Sequence, residues 1–232
     1  MIQHINLKIF TVYIGMLILL IAGQAIYIQI SNIQSLADPE LIRINTISNL
    51  LYYGGMLLIF IVWFKKYWTL QVQAVKDNFS NSISLIIGGF GAMIGVMIIA
   101  GLIMQALGIT DTSQNQEQLN MILEGSLFDK VSLVIFAVIL APIVEELVFR
   151  KAVFGALGNG KKVHPILVII LSSLIFGLIH VLGDDLLQIT TYAMLGAVLG
   201  SLFYISKGKI IIPIVVHMAL NLFVTIKMIV AV

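Results

Sequence analysis

Residues 131–157 read VSLVIFAVILAPIVEELVFRKAVFGAL, an apolar run with two adjacent glutamates, Glu145 and Glu146, near its middle and Arg150 one turn further on. About 20 consecutive apolar residues, rising ~1.5 Å each in a helix, cross the hydrocarbon core of a bilayer. The run is therefore long enough to be a membrane helix. Charges inside such a helix are costly and must find a partner or water, so three of them in one span point to function by default.

The rest of the chain has the same character. It has 232 residues, 60% apolar and only 10% charged, with mean hydropathy +1.08, whereas soluble domains are about a quarter charged. A soluble fold of this size buries one core and cannot hide repeated runs of spanning length. The net charge of +2 provides no basic field, which excludes nucleic acid as a partner. The absence of cysteine removes disulfides, thiolate zinc sites, a cysteine nucleophile and prenylation of this chain itself.

Apolar windows fall at about 9–30, 40–64, 83–108, 131–157, 165–182, 186–205 and 209–232. The expected fold is thus all-α, a polytopic membrane bundle of about seven helices, six to eight. The first window is too long for a signal-peptide core and lacks a small-x-small cleavage site, so it reads as a retained span. Asp38-Pro39-Glu40 marks the start of the second, and Trp63, Tyr67 and Trp68 beside Lys65 and Lys66 mark its interfacial end. The mixed stretch 69–82 reads as an interfacial or cytoplasmic connection. Lys8, Lys65/Lys66/Lys76, Lys151/Lys161/Lys162 and Lys207/Lys209 alternate with Asp38/Glu40 with Arg43, Asp111/Glu117/Glu124/Asp129 and Asp184/Asp185. The positive-inside rule then puts the N-terminus in the cytoplasm and the C-terminus outside. Three regions are expected: a three-span anchor over 1–110, a polar extracytoplasmic loop over 111–130 and a four-span catalytic region over 131–232. The Gly91/Gly95 and Gly196/Gly200 pairs have the small-xxx-small spacing that lets helices approach closely.

Glu146 and Arg150 stand at i and i+4 with the acid N-terminal, so they share a face and can pair. Glu145 lies about 100° round the helix and is left to act. The competing reading is a helix end at the interface with Arg150 and Lys151 snorkelling, which leaves two adjacent glutamates unexplained. Two further pairs stand one turn apart, Phe176 with His180 in the fifth span and His217 with Asn221 in the seventh. Singly, each His or Asn is as well read as interhelical hydrogen bonding. Together with the glutamates they form a polar set on three helices. Their expected depths differ by roughly 12 Å at a rise of ~1.5 Å per residue.

The ordered set Glu145-Glu146-xxx-Arg150, Phe176-xxx-His180 and His217-xxx-Asn221 resembles the CPBP intramembrane proteases, also called the Abi or CAAX-protease family, over about residues 128–225. The family includes Rce1-type CAAX endopeptidases and bacterial bacteriocin-processing or immunity relatives. The resemblance implies an intramembrane endopeptidase in which Glu145 is the general base and His180 helps bind and activate water. It implies that His217 and Asn221 stabilise the oxyanion at the scissile carbonyl, while Glu146, Arg150 and Phe176 support them. No cofactor is required on this reading. If zinc is used, Glu145, His180 and His217 are the expected ligands, although the chain has no HExxH. The implied partners are membrane lipids and a peptide or protein with a membrane-associated segment, prenylated or leader-like, and the expected location is the bacterial plasma membrane. Rhomboid-type and GxGD-type sites are incomplete: Ser172 and Ser173 lack the Gly-x-Ser-Gly setting, and Gly183-Asp184-Asp185 lacks its context. Two other functions compete, a proton-coupled transporter whose Glu and His form a relay, and a non-catalytic immunity or scaffold protein in which the cluster only packs helices.

Overall fold

The computed structural model describes residues 2–31, 39–109, 113–158, 163–181 and 186–231, with side chains from residue 8 to residue 230 within those ranges. Asp38, Asp111, Lys161, Lys162 and the Gly183-Asp184-Asp185 stretch, all used in the sequence reading, lie outside the described residues. The described chain is a helical bundle: α1 (Ile2–Ser31), α2 (Pro39–Lys76), α3 (Phe79–Ala106), the short α4 (Gln114–Glu124), α5 (Leu127–Gly158), α6 (Pro165–His180), α7 (Ile189–Ile205) and α8 (Ile211–Ala231). Six of these are long and apolar enough to cross a membrane, and α6 is a shorter apolar helix. The chain is a multi-pass membrane protein.

Several elements depart from the sequence expectation. Residues 69–76 are not a connection: α2 continues past a non-helical Phe64 (φ −119°, ψ 22°) to Lys76, and only Asp77 and Asn78 separate it from α3. The extension is held in place because Gln71 Oε1 accepts the backbone N–H of Ile210 at 2.8 Å and Lys151 Nζ lies 4.2 Å from the Tyr67 ring centroid. The described part of the expected loop, 113–130, is largely helical. Ser113 caps α4 by accepting from Gln116 N, and Ser126 with Asp129 forms a capping box that starts α5 at Leu127, one turn earlier than expected. Arg43 Nε then reaches Asp129 Oδ1 at 2.9 Å and ties α2 to that start.

α5 is the axis of the molecule and its most buried span. Two π-helical segments interrupt it, Val134–Leu140 and Leu147–Val153, on either side of the α-helical Ala141–Glu146. The first has a readable cause. Within it the carbonyl of Ala137 would accept from residue 142, which is Pro142 and has no N–H. That carbonyl is satisfied instead by Asn221 Nδ2 of α8 at 2.8 Å.

Around α5 a core of Ile9, Tyr13, Tyr52, Met56, Phe60, Val144, Leu147, Phe149 and Phe176 joins α1, α2 and α6. Among the small-residue pairs, Gly196 and Gly200 do face α6: a Cβ at Gly196 would stand 3.2 Å from Ser173 Cα, and one at Gly200 would stand 3.4 Å from Ile169. Gly91 and Gly95 have open space instead, so they bring no helix close. The tightest approach to another helix's backbone falls at Gly177, where a Cβ would lie 3.0 Å from both Ile189 O and Ala193 N of α7. Only glycine permits that backbone contact, which fixes α6 one turn before His180.

Candidate active site

Glu146 and Arg150 form the expected i, i+4 pair, with Arg150 Nε 2.9 Å from Glu146 Oε2 and both side chains fully buried at 0% exposure. Arg150 does not snorkel. Its Nη1 donates to Ser172 Oγ at 3.2 Å, Ser172 donates on to the carbonyl of Phe149 at 3.0 Å, and the guanidinium lies 5.3 Å from the Phe176 ring centroid. Two buried charges are stable in a low-dielectric interior only when paired and hydrogen-bonded, and here the ion pair is supplemented by one hydrogen bond on each side chain, while Arg150 Nη2 has no hydrogen-bond partner among the described residues. The other oxygen of Glu146 accepts His217 Nδ1–H at 3.1 Å. The pair thereby orients an imidazole on α8.

Glu145, round the helix from that pair, faces another set of groups. Its Oε1 accepts from Tyr53 OH of α2 at 2.9 Å. Its Oε2 lies 3.7 Å from His180 Nε2 and 3.9 Å from His217 Nε2. The expected 12 Å spread in depth is absent. His180, the last residue of the 16-residue α6, lies at the level of Glu145.

Both imidazoles have their Nδ1 engaged. His180 Nδ1–H donates to the Phe176 carbonyl at 2.8 Å, as His217 Nδ1–H donates to Glu146. When neutral, an imidazole protonated at Nδ1 presents a lone pair at Nε2, and in that form each Nε2 faces Glu145 as an acceptor. The separations of 3.7 and 3.9 Å exceed a direct hydrogen bond and are those at which a shared water is to be sought. Rings lock the arrangement. Phe176 lies 4.2 Å from His180 and 6.0 Å from His217, and Tyr192 of α7 stacks on His180 at 4.9 Å.

Glu145, His180, His217 and Asn221 line one cavity of about 520 Å³, together with Tyr53 and Tyr192. Asn221 spends one amide hydrogen on Ala137 and retains a second. All seven residues singled out in the sequence are thus in or against one site. Tyr53 and Tyr192 belong to no motif, and Ser172, weighed in the sequence only as a serine nucleophile, instead holds Arg150. The only available signal for the first was a pair of phenols, Tyr52-Tyr53, inside the apolar window 40–64. Tyr53→Phe removes a hydrogen bond to a charged carboxylate, and a ~1.5 kcal/mol loss of orientation corresponds to a kcat roughly tenfold lower with little change in KM. Steady-state kinetics on a peptide substrate check this.

The donor set of Glu145, His180 and His217 has the chemistry of a zinc site, but among the described residues no group of three His, Asp or Glu side chains has the arrangement to hold a metal ion.

Residues 127–223 match the family model described as type II CAAX prenyl endopeptidase Rce1-like. The chain is 37% identical over 139 residues to the membrane-embedded CAAX protease MroQ of Staphylococcus aureus (strain USA300), covering 58% of this chain and 53% of that one. It is 32% identical over 152 residues to YdiL of Bacillus subtilis (strain 168), whose name describes a candidate membrane peptidase, covering 65% of this chain and 58% of the relative. An uncharacterized protein of Mycoplasma capricolum is 31% identical over 164 residues, covering 66% of this chain and 47% of that one. The chain thus spans about half the length of the relatives it matches. No solved structure matches it. The matched segment contains all three motifs and the cavity-lining residues Glu145, Phe176, His180, Tyr192, His217 and Asn221, and over residues 127–223, less than half of its length, the chain is similar to the Rce1-like endopeptidases.

Proposed function

We propose that this chain is an intramembrane endopeptidase that hydrolyses a peptide bond with water activated by Glu145. The observation that carries the reading is the placement of one carboxylate oxygen within 4 Å of two imidazole Nε2 atoms at the wall of a cavity inside the bundle. A water there can donate one hydrogen to Glu145 Oε2 and the other to His180 Nε2, leaving its oxygen lone pairs free for a carbonyl carbon. As the O–C bond forms, Glu145 takes the water's proton and the carbonyl oxygen becomes an oxyanion. The second amide hydrogen of Asn221 is a donor at the same wall, and His217 becomes one when a solvent proton is taken up on its Nε2, to be returned to solvent after collapse. Collapse breaks the C–N bond, and the proton held by Glu145 passes to the leaving amine. Atoms balance with one water consumed, one carboxylate and one amine formed.

Tyr53 fixes one oxygen of the base, and the Glu146–Arg150 pair fixes His217, so the polar groups are oriented before substrate arrives. The substrate bond must be extended, because helical amides are already hydrogen-bonded and shielded. In this reading the reaction uses no metal. Treatment with a chelator is expected to leave the cleavage rate unchanged; loss of activity restored by added zinc would instead put a metal among Glu145, His180 and His217. The function itself is tested by incubating purified protein with a membrane-associated peptide and reading the products by mass spectrometry. New amino and carboxyl termini support it. An intact peptide alongside solute uptake in vesicles would support the transporter instead.

A further inference from the structure

The bundle has two ends that differ in charge, and the cavity reaches only one of them. At one end Tyr27 bonds Glu40, Arg43 pairs with Asp129, Ser113 bonds Tyr192 at 2.7 Å, and Gln116 lies against Met228. At the other, Gln71 bonds Ile210, Lys151 stacks on Tyr67, and Phe154 packs on Phe203. The first end carries Glu40, Glu117, Glu124 and Asp129 against Arg43, Lys130 and Lys227; the second carries Lys8, Lys65, Lys66, Lys76, Lys151, Lys207 and Lys209 against Asp77. By the positive-inside rule the lysine-rich end is cytoplasmic.

From Glu145 the cavity wall runs through Asn45, Gln24, Gln118 and Thr191, all toward the acidic end. In the opposite direction the buried Glu146–Arg150 pair, Phe149 and Phe176 close the bundle. The lining also has a charge signature. Among the described residues it contains no lysine or arginine, and its one carboxylate is Glu145. A free terminal carboxylate would meet no fixed cation and one like charge, a costly placement in a partly dehydrated site, whereas an internal segment brings no charge.

We propose that the site takes its substrate from the extracytoplasmic side, as an internal segment of an exported or membrane-spanning polypeptide, and not as a cytoplasmic C-terminal tail. The substrate class rests on the hydrolase reading above; the side of entry does not, and the two are tested separately.

The chain has no cysteine, so single substitutions report accessibility directly. Gln118→Cys at the cavity mouth is expected to react with a membrane-impermeant maleimide in intact bacteria, and Lys207→Cys only after lysis. Gln24→Cys and Lys66→Cys serve as the second pair if either variant fails to accumulate. The reverse pattern overturns the proposal whatever the protein does chemically. In the second arm, one apolar segment is placed in a membrane-anchored reporter on the outer side or the inner side. Glu145-dependent cutting of the outer reporter alone supports the substrate class, and cutting of the inner reporter alone overturns it. Moving the same segment to a free C-terminus is expected to slow cutting, while faster cutting there would overturn the internal-segment assignment. Failure to cut any reporter, with the labelling as expected, removes the hydrolase reading and this substrate class with it while leaving the side of the cavity mouth established.

Discussion

Glu145→Gln is expected to reduce peptide cleavage by at least about 100-fold, the lower end of what a positioned general base contributes, while the protein still inserts and folds. The amide keeps the size of the side chain and can still bond Tyr53, so the contact with α2 survives. It cannot take a proton from water, and the neighbouring carboxylate cannot replace it because Glu146 is committed to Arg150 and His217, which leaves only the imidazole Nε2 atoms to polarise the water. The measurement is single-turnover cleavage by purified variant and parent, with gel-filtration behaviour and thermal unfolding in detergent as the folding control. Undiminished cleavage would remove Glu145 as the base.

Arg150→Met is expected to act chiefly on stability. It leaves Glu146 as a buried carboxylate without its cation, and breaking such a pair typically costs about 3–5 kcal/mol. Ser172 also loses its donor, although it keeps the Phe149 carbonyl as acceptor. The double variant Glu146→Gln with Arg150→Met removes both charges and is expected to regain most of the lost stability, since apolar or neutral replacement of a buried pair is often near neutral. It does not regain activity, because His217 Nδ1 loses its carboxylate partner. Thermal unfolding of the three variants, followed in one detergent, separates the two effects. A single variant as stable as the parent would show that Arg150 reaches water or lipid headgroups, as a snorkelling side chain would.

Much of this arrangement is legible before any coordinates, and for physical reasons. Span positions follow from hydropathy because the bilayer leaves backbone groups no partner outside a helix. The Glu146–Arg150 pair follows from helical periodicity alone, and the adjacent position of Glu145 already places it on another face. What periodicity cannot supply is tertiary depth. The expected spread in depth, from His217 toward the cytoplasm to His180 toward the outside, fails because the helices are set against one another so that both imidazoles meet Glu145, a tertiary offset that apolar content does not record. Tyr53 was invisible for a similar reason: its partner lies 92 residues away on another helix. The π-helical turns of α5 depend on a proline and on an amide from α8 that rescues the orphaned carbonyl, and only the proline can be read locally. Gly91 and Gly95 show the converse, a local pattern with no tertiary partner.

The central claim is that Glu145, His180, His217 and Asn221 act together on one peptide carbonyl. A solved structure of the protein with a peptide aldehyde, whose hydrate imitates the tetrahedral intermediate, tests it most directly. One hydrate oxygen is expected between Glu145 and His180, and the other within hydrogen-bond reach of His217 or Asn221. An aldehyde bound elsewhere, or a Glu145 carboxylate turned away from the hydrate, would contradict the account.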